Sequence, residues 1–218
     1  MNTKERILEV AIQEFNQKGY GAVSLQELAQ QLGISRGNLT YHFKTKDALL
    51  EAIADQMWFQ LERERNKSIQ YPSFENLHNQ VQMYYHFQKV YAFIFLDTHV
   101  LNHVSIKKRF RKLTEQTIED NKAKLAYAIQ IGNLKPEPVP GVYNNIALMT
   151  WILSFFWLAQ QIVRGEKSRE DGEKMIWSMI FPHFTEKGLA AFKTFFGEDY
   201  LNDLGTPFEW NMKNLMSF

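Results

Sequence analysis

The stretch "SLQELAQQLGISRGNLTYHFKTK", Ser24 to Lys46, decides how the rest of the chain is read. It opens on Ser24 with Glu27 three residues on, the capping-box arrangement in which side chain and backbone satisfy each other's orphan donors at a helix start. The helix so begun runs through "LQELAQQL" and stops at Gly33, a residue able to take the positive φ of a tight turn. Ser35 then offers a fresh N-cap, and Leu39 and Phe43, four apart, give a short following helix its inward face. Ala29 is small where two crossing helices must approach, and Leu28, Leu32, Ile34 and Leu39 fill the core between them. The predicted outline over Leu25 to Phe43 is helix, tight turn, helix.

The second half of that stretch has an unusual charge. From Leu32 to Lys46 it holds Arg36, His42, Lys44 and Lys46 and no carboxylate, as a surface pressed against phosphates requires. Two caps, correct apolar spacing and a basic second helix together give the layout of a DNA-binding helix-turn-helix. Upstream, Ile7, Ala11 and Phe15 recur at four-residue spacing beside Leu8 and Ile12, one apolar stripe on a preceding helix. Asn2 or Thr3 can cap that helix, and Gly19 follows it.

Residues from about Asn2 to Ile53, with the pattern "F..KGY.A.S...LA..LGIS.G.LTYHFK.KD.LL", closely resemble the N-terminal domain of the tetracycline-repressor (TetR) family of bacterial regulators. The resemblance implies an all-α fold: a three-helix helix-turn-helix DNA-binding domain over residues 1–46, then a larger helical ligand-binding and dimerisation domain over 47–218, with a helix at 47–69 as linker. It also implies DNA contacts at Ser24, Ser35, Arg36, Gly37, Asn38, Thr40, Tyr41, His42 and Lys46. Arg36 suits guanine and Asn38 adenine if they reach base edges in the major groove. Tyr41, His42 and Lys46 match positions that meet phosphates. Thr40 departs from the family, which commonly has tyrosine before "YHF", so its contact is expected to be shorter or directed at a thymine methyl. Ser24 and Ser35 would cap helices in any protein, and capping alone accounts for them.

Bulk composition agrees with a folded protein. A chain of 218 residues with 45% hydrophobic and 14% aromatic content can bury a sizeable core. Zero cysteines exclude disulfides and thiolate metal sites, and "MNTKERILEV" lacks a signal-peptide layout, so a cytoplasmic location is expected. With a formal charge of +1, DNA binding must come from a local patch. The rest of the chain reads as helices: about 46–69 up to Tyr71-Pro72, an aromatic-dense segment, about 105–131, then Gly132 and prolines 136, 138 and 140 as a loop. Two last helices are expected at about 142–164 and 169–184, with Pro182 kinking or ending the second. "IALMTWILSFFWLA", Ile146 to Ala159, is apolar almost all round but shorter than the roughly 18 residues a bilayer core requires, so no membrane span is expected. In the family the last two long helices pair with those of a second subunit, which implies a homodimer through 142–164 and 169–184 and a pseudo-palindromic operator in double-stranded DNA.

Phe93, Phe95, His99, Tyr127, Trp151, Phe155 and Phe156 are expected to line an apolar pocket suited to a small lipophilic or aromatic effector; plain core packing is the alternative for each. His99 and His103, four apart beside Asp97, lack an adjacent third ligand, so neither metal nor cofactor is expected. The run "KKRFRK", Lys107 to Lys112, is followed by Glu115, Glu119 and Asp120 and reads as a solvated face. No phosphate-cradling glycine loop, Gly-x-Ser-x-Gly elbow or cysteine nucleophile argues for an enzyme. The expected function is a sequence-specific repressor released from its operator by the effector. The alternatives are a DNA-binding helical interaction protein without an effector and, less in keeping with the sequence, a small all-α enzyme.

Overall fold

Of the two candidate caps at the start of the chain, Asn2 is the one used. The computed structural model describes residues 2–68, 72–164 and 172–205, and its first helix, α1 (Thr3–Lys18), opens with Asn2 Oδ1 accepting from the Glu5 amide at 2.9 Å. Glu5 Oε2 accepts from the Asn2 amide at 2.8 Å in return. The second capping box forms as predicted at α2 (Leu25–Leu32): Ser24 Oγ accepts from the Glu27 amide at 3.2 Å, and Glu27 Oε2 from the Ser24 amide at 2.7 Å. Gly33 then takes the left-handed conformation, φ 65° and ψ 30°, which brings the Ile34 amide back to the Ala29 carbonyl at 3.0 Å. Ser35 Oγ caps α3 (Arg36–His42) through the Asn38 amide at 3.1 Å.

Chain order continues with α4 (Lys46–Ser68), α5 (Phe74–Val90), α6 (Ala92–Leu96), α7 (Thr98–Leu101), α8 (Val104–Gln130), α9 (Val142–Arg164), α10 (Gly172–Ile180), a 3₁₀ turn (Phe181–His183), α11 (Glu186–Phe196) and α12 (Glu198–Asn202). The fold is all-α, as expected; no strand occurs among the described residues, and the β-type contact recorded there is a bridge between Leu134 and Phe184. The expected single helix over 169–184 is instead α10 and the turn. Pro182 lacks the amide a continuing helix needs, and the chain restarts as α11 under the Thr185 cap. Residues 169–171 of that expectation lie outside the described residues.

Two compact units emerge, and they do not follow chain order. The first comprises residues 1–70 and 82–115, the second 71–81 and 116–218; the expected boundary between 46 and 47 falls inside the first. In the first unit Ile7, Phe15, Leu28, Leu39, Leu49 and Ile53 are all 0% exposed, one core shared by α1 to α4. Asn16 of α1 ties the end of α5 to α6, donating to the Val90 carbonyl at 2.9 Å and accepting from the Phe93 amide at 3.0 Å. Trp58 of α4 meets Phe110 of α8 edge to face at 4.8 Å. Arg109 pairs with Asp55, so the run at 107–112 is not uniformly solvated.

The second unit is built around Phe192, which is fully buried against Phe74, Trp177, Phe184 and Phe196. Trp177 is fixed by a buried carboxylate. Its Nε1 donates to Glu173 Oε1 at 3.0 Å, and Glu173 Oε2 lies 2.8 Å from His78 Nδ1. The loop before α9 is held by both ends of Tyr143: its amide donates to Glu137 Oε1 at 2.8 Å and its hydroxyl to the Lys135 carbonyl at 2.7 Å. The α11 helix docks on that loop through Gly188, where a Cβ would stand 2.0 Å from the Asn133 carbonyl oxygen. The α9 helix is long and apolar enough to cross a membrane by length and composition. It packs on α10; Ile146, Ala147, Phe155 and Trp157 are buried, while Leu148, Met149, Ile152 and Phe156 are exposed.

Two stability outcomes follow from these contacts. Gly188→Ala must displace backbone, because the obstacle is a carbonyl and not the end of a side chain; thermal melting is expected to show a loss of about 1–3 kcal/mol. Glu173→Ala strands the buried Trp177 N–H, with an expected cost of about 1–3 kcal/mol in denaturant titration, whereas Glu173→Gln, which keeps an acceptor, is expected to lose less.

Candidate nucleic-acid interface and internal cavity

The α3 helix has seven residues, too few to hold its shape alone, and its orientation comes from two anchors. Leu39 is 0% and Phe43 4% exposed, each burial contributing about 1.5–3 kcal/mol. With those side chains inward, Ser35, Arg36, Gly37, Asn38 and Tyr41 are exposed and Thr40 and His42 half-buried. Tyr41 is 84% exposed, an aromatic left in solvent with its ring edge to face with His42 at 5.3 Å. The first turn of α3 holds no acidic residue and begins with Arg36, although a helix N-terminus favours negative charge. Ser24 and Ser35 act as caps, and both remain exposed at the helix starts.

Thr40 has a defined orientation. Its hydroxyl donates back to the carbonyls of Arg36 at 3.0 Å and Gly37 at 3.2 Å, a common arrangement for threonine within a helix. With Oγ1 turned to the backbone, the methyl becomes the distinctive feature of the side chain.

Lys46 differs from the picture of an extended cation. Its Nζ sits 4.2 Å from the centroid of the Tyr20 ring and 3.4 Å from the Gly21 carbonyl, and burial pulls its pKa below the usual lysine value. Tyr20 in turn donates to Asp47 Oδ1 at 2.7 Å, and burial together with that carboxylate pushes its phenol well up. The start of α4, where Lys46 stands first, is thereby clamped to the loop before α2.

The second unit contains a cavity of about 280 Å³. Its walls include Phe74, Leu77, Leu125, Ile131, Trp177, Ile180 and Phe184, with Asn121, Lys124, Tyr127 and Thr150 as polar handles. Of the residues expected to line a pocket, Tyr127 alone is among them. Trp151 and Phe155 meet at 5.8 Å with their ring planes tilted by 33°, elsewhere on α9, and Phe156 lies on its exposed face. Phe93, Phe95 and His99 belong to the first unit: Phe93 packs on Phe15 at 5.2 Å, Phe95 on Phe110 at 5.5 Å, and His99 stacks over Tyr20 at 6.3 Å. The expected group is divided between the two units, because helical spacing says which residues turn inward but not which core they enter. The lining that sequence reasoning missed comes mainly from Phe74 and Leu77, the end of α8 and the α10 face. No sequence signal separated these from ordinary core. Asp97, next to His99 and His103, caps α7 by accepting from the His99 amide at 2.8 Å, and His103 Nδ1 lies 3.0 Å from Ser105 Oγ.

Comparison with known proteins finds family matches over both the N-terminal part and the remainder of the chain. Residues 7–53 match "Bacterial regulatory proteins, tetR family" and residues 52–192 match "Bacterial transcriptional repressor". The HTH-type transcriptional regulator YerO of Bacillus subtilis (strain 168) is 49% identical over 47 residues, 22% of this chain, and the match spans only 16% of that relative's length. YhgD of the same strain, likewise an HTH-type regulator, is 23% identical over 88% of this chain and 98% of its own. Among solved structures, a TetR-family transcriptional regulator from Marinobacter aquaeolei VT8 superposes with a TM-score of 0.78 at 20% identity, covering 89% of this chain and 97% of the other. The chain therefore belongs to the tetR family of bacterial DNA-binding transcriptional regulators.

Proposed function

We propose that the protein is a homodimeric, sequence-specific repressor that leaves its operator when a small lipophilic or aromatic molecule enters the cavity of the second unit. The carrying observation is the outer face of α3, where buried Leu39 and Phe43 leave Arg36, Asn38, Thr40, Tyr41 and His42 outward on a segment without a carboxylate. Arg36 and Asn38 read base edges, with Gly37 allowing close approach. Thr40 offers its methyl to a thymine, Tyr41 and His42 meet phosphates, and the amides behind Ser24 and Ser35 face the backbone. Lys46 acts mainly by holding the start of α4 on Tyr20.

Two such heads read half-sites about 34–36 Å apart in a pseudo-palindromic operator. The dimer forms through α9 and α10, supported by Leu148, Ile152 and Phe156, which recur four apart on the exposed side of α9. That same face accounts for the apolar character of α9 in a cytoplasmic protein without a membrane span. The effector works by population shift, favouring a state whose head separation no longer fits the operator. Helices α5 and α8 each contribute residues to both units and so provide covalent continuity between cavity and heads. No cofactor and no catalytic step enter this scheme.

Selecting bound DNA from a random pool and titrating the recovered operator tests the reading; absence of affinity for any DNA at low salt would remove it. On the recovered operator, Arg36→Ala is expected to cost about 1–3 kcal/mol and to relax preference at one position. Thr40→Ser, losing only the methyl, is expected to cost about 0.8 kcal/mol, while Thr40→Val binds like the parent. A loss in the valine variant, with the serine variant binding like the parent, would assign the contact to the hydroxyl instead. For the dimer, Ile152→Glu combined with Phe156→Glu changes residues already exposed, so folding is expected to persist while sedimentation shows monomers.

A further inference from the structure

A buried acceptor in the second unit, Asn121 Oδ1, has no hydrogen-bond partner among the described residues. Asn121, on α8, is 4% exposed and lines the cavity. Its Nδ2 donates to the Ala147 carbonyl of α9 at 3.2 Å, which settles the amide orientation, since the flipped arrangement would set oxygen against oxygen. The Oδ1 atom is left without a hydrogen-bond partner among the described residues. A buried acceptor so stranded costs folding free energy unless something donates to it. Thr150, also buried, lines the same cavity, and most of the wall is aliphatic or aromatic.

The charge of the lining narrows the occupant further. No carboxylate stands among the described residues lining the cavity, so a cationic ligand would be buried there without a counter-charge from them. The cation there, Lys124, already donates to Gln80. An anionic ligand would bring a second acceptor against Asn121 Oδ1.

We propose that the cavity selects an uncharged, mainly apolar molecule bearing one hydroxyl or N–H group, which it donates to Asn121 Oδ1. This rests on reading the cavity as the effector site, and it adds the chemical class of the effector. A ligand of the same shape without the donor would leave the acceptor unpaired, and discrimination by a missing hydrogen bond exceeds what one extra methyl group provides.

The test uses the full-length protein without DNA and three probes: 2-naphthol, its methyl ether 2-methoxynaphthalene, and 2-naphthoate. Isothermal titration is expected to show 2-naphthol binding about ten-fold or more tighter than the ether, a difference of about 1.4 kcal/mol, with the carboxylate weakest. In Asn121→Leu that preference is expected to vanish while the ether binds at least as well as before. Equal wild-type affinities for naphthol and ether, tighter binding of the carboxylate, no binding of any probe up to its solubility, or a preference that survives Asn121→Leu would each overturn the proposal. The wild-type comparison stands even if the variant fails to fold. Because no DNA is present, loss of the operator reading would leave this result intact. Conversely, a confirmed preference with no operator release would retain the ligand class and remove the effector role.

Discussion

The burial of Leu39 and Phe43 is the constraint on which the DNA-facing half of the molecule depends. A seven-residue helix has little intrinsic stability, so α3 exists in its orientation because those two side chains enter the core of α1, α2 and α4. Once they are committed, the opposite side of the helix has no further role in packing. The residues there are poor choices for helix stability. Arg36 stands at the first position of α3 and Lys46 at the first of α4, both where the helix dipole prefers an acid. In α3 the rule is broken with no acid in the first turn, whereas in α4 Asp47 directly follows Lys46.

Lys46 illustrates how the same residue can serve structure and function unequally. The family resemblance implies a phosphate contact there, yet its ammonium rests on the Tyr20 ring and the Gly21 carbonyl. The cation–π contact offsets part of the unfavourable dipole term at the α4 start, and Tyr20 extends the clamp to Asp47. These contacts fix the entry into α4 against the loop before α2.

The second unit follows a different logic, close approach. At Gly188 backbone touches backbone, the Phe192 cluster is pinned from one side by the Glu173–Trp177 pair, and Tyr143 grips the loop before α9. These contacts frame a cavity instead of filling it. Aromatic side chains that meet edge to face leave space that smaller, more flexible residues would collapse into. An amide held by its nitrogen and idle at its oxygen gives that space a chemical preference.

The sequence by itself determined the parts governed by local rules. The capping box at Ser24, the glycine turn at Gly33 and the four-residue spacing of Leu39 and Phe43 are short-range and were legible in full, as were the all-α class and the family; the choice of Asn2 over Thr3 as the first cap was not. The candidate DNA face followed from them, because inward anchors fix which residues face out. Only the tertiary structure decided the rest: that Lys46 turns onto Tyr20, that α10 ends before Pro182 and α11 begins anew, and that Phe93, Phe95 and His99 belong to the first unit while Tyr127 lines the cavity of the second. Periodicity reports that a side chain is buried, whereas its neighbours depend on how distant helices cross. A cavity is the volume those crossings leave unfilled, and no local pattern in the chain encodes it.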